Sequence, residues 1–270
     1  MSIFICILTI LLSALFGYLS GSIPNAVIIG KIFFKRDPRL EGSKNSGGTN
    51  AGRVFGLKIG IIVIILDVLK IVIPFIITFL VFTKVDYFKK ILFYSEEINA
   101  FGRGNTLQQL AYWITPFTGI IGHCYSIYIK FTGGKAVSSY IGFAISSSWI
   151  ACIILPLTFF TSIKIGKKVS IASMVSACLF TIISWIIYII YIIYGPKIAN
   201  YLMFFGVGPE ICIYYPTFLT LCLALLILKH KANIKRIIVG NEPIAYWLDK
   251  NKWIKALNGA FFNIFDLKHN

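Results

Sequence analysis

The chain has 270 residues, 57% of them hydrophobic and only 13% charged, against roughly 25% charged in an average soluble domain. Uninterrupted runs of Ile, Leu, Val and Phe reach about 20 residues, enough to cross a hydrocarbon core of roughly 30 Å. This excludes an ordinary soluble domain and predicts an all-α, polytopic integral membrane protein. The net charge of +16 points first to cytoplasmic loops and then to an anionic ligand. No basic stripe lies outside the loops, so nucleic acid is not expected as a partner.

The first apolar run, Ile3–Phe34, has no basic residues ahead of it and stays apolar past Pro24, so it reads as a span rather than a removable leader. The polar stretch that follows, EGSKNSGGTNAGR at 41–53, has four glycines and almost no apolar side chain. The second span, Val54–Phe82, carries Asp67 and Lys70 three residues apart, a pair that can neutralise itself. The third, Leu107–Ile129, ends near His123. Next comes KFTGGKAVSS at 130–139.

The apolar stretch Ala136–Ile163 is interrupted by Ser146, Ser147 and Ser148, and reads either as one long span or as two short ones. KKVSIAS at 167–173 leads into Val169–Tyr194. The last span, Ile211–Leu228, runs into KHKANIKR at 229–236. Residues 241–270 alternate aromatics with lysines and read as an amphipathic or loosely ordered extension beyond a single membrane domain, 1–240. The six cysteines show no paired spacing and read as small core hydrophobes.

Charge settles the ambiguous stretch. Two short spans there make seven in all. With the N-terminus outside and the C-terminus cytoplasmic, nineteen lysines and arginines then lie inside and five outside, as the positive-inside rule requires. Six spans would put Lys164–Lys168 and the basic C-terminal segment on opposite sides. A re-entrant pair buried in protein is the alternative form of the short spans.

Under this topology four unusual polar segments share the cytoplasmic face, and their common chemistry is anion binding. Glycines allow successive N–H groups to converge on one point, and helix N-termini favour phosphate. Gly42, Gly47, Gly48 and Gly52 can form such a nest, with Ser43, Asn45, Thr49 and Asn50 donating and Arg53 adding a planar cationic fork. Gly133, Gly134 and Lys135 ahead of a span form a second candidate. Such loops also simply turn the chain, and their cations also set topology. His230 and Asn233, three apart, share a helical face, where His230 can act as general base or as a donor to phosphate. No metal site and no Ser-His-Asp arrangement is suggested.

Taken in order, these segments resemble the acyl-phosphate-dependent glycerol-3-phosphate acyltransferases of bacterial membranes, the PlsY family. GSIP at 21–24, DPRLEGSKNSGGTNAGR at 37–53, GHCYSIYIKFTGGKAV at 122–137, VSIAS at 169–173 and HKANIKRIIVGNE at 230–242 carry the resemblance. It implies transfer of a fatty acyl group from acyl phosphate to the 1-hydroxyl of glycerol 3-phosphate, giving lysophosphatidic acid and phosphate, at the cytoplasmic face of the plasma membrane. It implies no cofactor or metal, and the partners are the two substrates and the bilayer.

By motif position, Ser43, Arg53 and Lys135 hold phosphate with Ser173 nearby, and His230 and Asn233 orient the acceptor. The sequence departs from the pattern at Gly48 (usually alanine), Ser126 (proline), Thr132 (lysine) and Ala136 (glycine). The change at Thr132 is expected to leave the phosphate site one cation poorer. A transporter or channel for a phosphorylated solute could use the same loops, but neither an inverted repeat nor paired broken helices are evident.

Overall fold

The computed structural model describes residues 3–88, 107–195, 201, 203 and 211–245. These are helical, with one isolated antiparallel bridge between Ser126 and Thr132. In chain order the helices are α1 (Ile3–Gly21), α2 (Asn25–Phe34), α3 (Gly48–Phe55), α4 (Leu57–Lys84), α5 (Leu107–Cys124), α6 (Val137–Ser147), α7 (Ile150–Gly166), α8 (Val169–Tyr194), α9 (Tyr214–Lys229) and α10 (Lys231–Ile238). Among the described residues three segments are long and apolar enough to cross a membrane: α1 with α2 (Phe4–Phe34), α4, and α8. The pair α9 and α10, bent by 57°, qualifies when taken together.

The first run is broken where Pro24 removes a backbone donor at the start of α2. α1 packs on α5 through small residues, and a Cβ on Gly21 would lie 2.0 Å from the carbonyl oxygen of Gly119. Such close backbone approach is the usual basis of helix association in lipid. Val54 and Phe55, expected to open the second span, instead finish the short helix α3. Gly56, at φ +97°, separates it from α4.

The serines do break the fourth apolar stretch. α6 stops at Ser147, Ser148 takes extended backbone, and α7 starts at Ile150. The 11 residues of α6 reach only about 16 Å, half of a hydrocarbon core. At the break the carbonyl of Ala144 accepts from both the Ser148 N–H at 3.1 Å and the Ser147 hydroxyl at 2.7 Å.

Aromatic side chains fill the interior. Trp113 stacks within 5.0 Å of Tyr215 and 5.1 Å of Phe75, and all three are almost fully buried. The outer faces of α1, α4 and α8 expose Ile, Leu and Phe, as helices facing lipid do. Cys6, Cys124, Cys212 and Cys222 are buried, Cys178 is half-buried and Cys152 is exposed; all six are free thiols.

Of the expected extension, residues 246–270 lie outside the described ones. Its first residues do not behave as a tail. The Ala245 N–H donates to the carbonyl of Lys167 at 2.8 Å, and Ala245 packs beside Ile163 and Ala172.

Candidate active site

The four polar segments meet. A cavity of about 610 Å³ is lined by Ser43, Asn45, Gly47, Gly48, Thr49, Asn50 and Arg53 from the loop and α3, and by Lys135 ahead of α6. Ser170 and Ser173 of α8, His230 and Asn233 at the α9–α10 corner, and Glu242 complete the polar end. The other end is apolar: Ile61 and Ile64 of α4, Ile141 and Ile145 of α6, and Leu155, Phe159 and Phe160 of α7. Ile61 is 47% and Phe160 64% exposed, so this end opens on a hydrophobic flank between α4 and α7.

The glycine-rich loop is organised by Asn50, which is buried. Its amide NH₂ donates to the carbonyls of Pro38 (2.7 Å), Asn45 (2.9 Å) and Glu41 (3.2 Å). Its Oδ1 accepts from the backbone N–H and hydroxyl of Ser43 at 2.7 and 3.0 Å. Asn45 Oδ1 likewise accepts from the Gly47 N–H at 2.9 Å. Asn50 therefore shapes the loop, with its amide engaged by loop groups. Gly42 bends the loop at φ +59° and is not among the lining residues. The rest of the stretch is the helix α3, whose first turn faces the cavity and brings the positive end of a helix dipole with it.

The second glycine segment also works differently from expectation. Gly133 and Gly134 do not line the cavity. The Gly134 N–H donates to the carbonyl of His123 at 2.9 Å, and a Cβ there would sit 1.9 Å from His123 Nε2. The glycines allow the turn to lie against the end of α5, which swings the half-buried Lys135 into the cavity. Thr132 lies off the cavity, exposed; its hydroxyl donates to the carbonyl of Ile129 at 2.6 Å and accepts from Arg39 Nη1 at 3.5 Å.

Lys135 Nζ donates to Asn233 Oδ1 at 2.7 Å. Asn233 Nδ2 in turn donates to Glu242 Oε1 at 2.6 Å, which also accepts from Ser170 at 2.7 Å; Arg236 Nε holds the other carboxylate oxygen at 2.7 Å. Burial first, then the charges of Arg236 and Arg53, with Glu242 opposing, lower the Lys135 pKa to about 8. Burial alone would raise the Glu242 carboxyl, but the hydrogen bonds from Asn233, Ser170 and Arg236 outweigh it and keep it ionised. Glu242 was not among the residues singled out from sequence. The visible signal is that it is the first acidic residue after a run of four cations, Lys229, Lys231, Lys235 and Arg236.

His230 is buried at the corner and lines the cavity. Its Nδ1–H donates to the carbonyl of Leu226 at 2.8 Å, the tautomer that leaves Nε2 with a lone pair. Ser173 donates to the carbonyl of Ser170 at 3.0 Å. The site thus offers two lining cations, an imidazole acceptor and a helix N-terminus at one end, and an apolar slot at the other. Among the described residues no group of His, Cys, Asp or Glu is arranged to hold a metal ion.

A family model described as glycerol-3-phosphate acyltransferase matches residues 11–240. The chain belongs to the glycerol-3-phosphate acyltransferase family. A glycerol-3-phosphate acyltransferase of Ureaplasma urealyticum serovar 10 is 36% identical over 242 residues, covering 87% of this chain and 90% of the relative. One from Staphylococcus haemolyticus is 34% identical over 239 residues, covering 88% and 99%.

The fold matches a crystal structure of PlsY, an integral membrane glycerol 3-phosphate acyltransferase, in its glycerol 3-phosphate form. The TM-score is 0.61 at 23% identity, over 87% of this chain and 94% of that one. The lysophosphatidic acid form of the same enzyme gives 0.60 at 22% identity. The chain accordingly shares the PlsY fold, and its described residues include three segments long and apolar enough to cross a membrane.

Proposed function

We propose that the acyl donor is acyl phosphate, that the 1-hydroxyl of glycerol 3-phosphate is the group acylated, and that the products are lysophosphatidic acid and inorganic phosphate. The observation that carries this reading is the two-ended cavity. Its polar end gathers Arg53 and Lys135 beside the first turn of α3, while its apolar end continues between α4 and α7 to a hydrophobic flank. A donor with phosphate at one end and a fatty chain at the other has the same division, and its carbonyl falls at the boundary.

In this reading Ser43, Arg53 and Lys135 hold phosphate groups, with Ser173 and the α3 N-terminus beside them. Asn233 orients both Lys135 and the acceptor. The acceptor hydroxyl donates to His230 Nε2. Its oxygen attacks the acyl carbonyl, the new O–C bond forms, the bond from the acyl carbon to the phosphate oxygen breaks, and phosphate departs. The proton taken at Nε2 passes to the departing phosphate. Phosphate is a competent leaving group, so positioning and charge stabilisation carry the rate without a covalent intermediate.

The reading includes seven spans with the site on the cytoplasmic face of the plasma membrane. It is supported by the charge asymmetry and by α6 and α7, since Lys135 before α6 and Ser170 after α7 line the same cavity. The test offers purified protein glycerol 3-phosphate with acyl phosphate, acyl-CoA or acyl-carrier protein in turn. Lysophosphatidate and phosphate should form with acyl phosphate; equal rates with acyl-CoA refute the donor assignment.

A further inference from the structure

A second polar cluster, centred on Asp67 in α4, adjoins the cavity: its members His123 and Ser138 line it, and Asp67, Lys70 and Asn25 lie behind them. Asp67 is buried, and its partner Lys70 has a side chain only 7% exposed. Lys70 Nζ lies 2.9 Å from Asp67 Oδ1, the pairing that the i, i+3 spacing suggests. Neutralisation needs no more than that, yet the carboxylate has three further neighbours from three other helices. Asn25 Nδ2, at the start of α2, donates to Oδ1 at 2.9 Å. Ser138 Oγ, in the first turn of α6, donates to Oδ2 at 3.3 Å. His123 Nδ1, near the end of α5, stands 3.9 Å from Oδ2. Lys70 in addition donates to the carbonyl of Ile23, in the break between α1 and α2, at 2.7 Å.

Each neighbour leads to a phosphate-facing element. The ring of His123 is the surface on which Gly134 rests, one residue before Lys135. Ser138 stands three residues after Lys135. Asn25 fixes α2, which carries α3: Ala26 packs with Ala51 and Val63, and Phe34 stacks on Phe55 at 4.5 Å. Arg53 belongs to α3.

We propose that Asp67 is a positioning residue for the acyltransferase reaction, holding the Lys135 turn and the Arg53 helix at the spacing that receives the substrate phosphates. This rests on the reading above that Lys135 and Arg53 hold phosphate. A 1 Å misplacement of such groups is enough to weaken a site strongly.

Asp67→Asn alone would strand Lys70 as a buried unpaired cation and disturb folding. The variant to measure is therefore Asp67→Asn/Lys70→Met, which removes both charges together. Asn25→Ala is measured beside it, because Asn25 does not line the cavity and its loss leaves the ion pair in place. In steady-state kinetics on folded enzyme, the double variant should raise KM for glycerol 3-phosphate about tenfold while kcat changes by less than about threefold. Asn25→Ala should raise KM by about threefold. A merely structural role would reduce the quantity of active enzyme and leave KM where it was.

Lys135→Ala, run in parallel, separates the two layers of the argument. If it leaves KM unchanged, the phosphate reading of Lys135 falls. If it raises KM while Asn25→Ala and the folded double variant keep the wild-type value, the positioning role of Asp67 is overturned on its own. If the double variant does not fold, Asn25→Ala decides: a raised KM supports the role and a wild-type KM overturns it.

Discussion

Lys135 reaches the cavity from a turn that rests on His123, and its ammonium donates to Asn233 Oδ1. It is therefore poised to exchange that bond for a phosphate. Arg53→Ala and Lys135→Ala should each cost at least about 2 kcal/mol in kcat/KM for glycerol 3-phosphate, the scale of losing one preorganised donor. Near-wild-type values for both would reduce these cations to topology signals. The Lys135 pKa of about 8 adds a pH signature. The ammonium form dominates below that value and is lost as pH rises through it. Hence kcat/KM for glycerol 3-phosphate should fall above about pH 8, by up to about tenfold per unit, and Lys135→Arg should flatten the fall. An unchanged limb in the arginine variant would assign the titration elsewhere.

At this scale the sequence was informative about residue types and less so about tasks. Ser43, Arg53, Lys135, His230 and Asn233 all reach one cavity. Asn50 is equally close, but its amide is consumed by three loop carbonyls. Spacing along a chain cannot say which donors a fold has already spent. Glu242 was passed over because its partners, Ser170, Asn233 and Arg236, belong to a contact between two distant segments.

Among the elements, the break at Ser148 was legible because three consecutive serines interrupt an apolar stretch otherwise long enough for one helix. The helix α3 was not. Glycine is poor in helix interiors, and Gly48 and Gly52 argue for a loop until Gly60 of α4 is seen against them, its Cβ position 2.7 Å from Gly52 Cα. Tertiary approach overrode propensity there. The turn at 132–135 makes a contrasting pair of predictions. Gly134→Ala would place a methyl 1.9 Å from His123 Nε2, so it should displace Lys135 and raise KM for glycerol 3-phosphate about tenfold or more. Thr132→Lys, two residues earlier but off the cavity, should leave KM within about twofold. Side-by-side kinetics of the two variants checks both, and a large gain from Thr132→Lys would return that position to the site.

For the molecule as a whole, charge did more than hydropathy. The fourth apolar stretch cannot be counted by length; the proposed odd number of spans rests on the cation distribution, and Lys135 before α6 and Ser170 after α7 line one cavity, as that topology asks. Single cysteines at Lys44, Lys167 and Asn241, in a background without the six native ones, should react with impermeant reagent only from the cytoplasmic side, and one at Gly195 only from outside. Labelling of Lys167 from outside would split the shared face and the proposed topology with it.

The exposed flank of the cavity, where Ile61 and Phe160 stand 47% and 64% exposed, has a consequence for how turnover is counted. A donor that enters through this gap never leaves the leaflet, so its effective concentration is a mole fraction per area of membrane, not a molarity. Diluting the whole suspension would then leave the donor term untouched, whereas adding inert phospholipid at constant volume would slow the enzyme. Glycerol 3-phosphate, arriving from water at the polar end, would obey the opposite rule. The two ends of one cavity thus answer to two different dimensions, a surface and a volume, and the enzyme's rate reports the product of both.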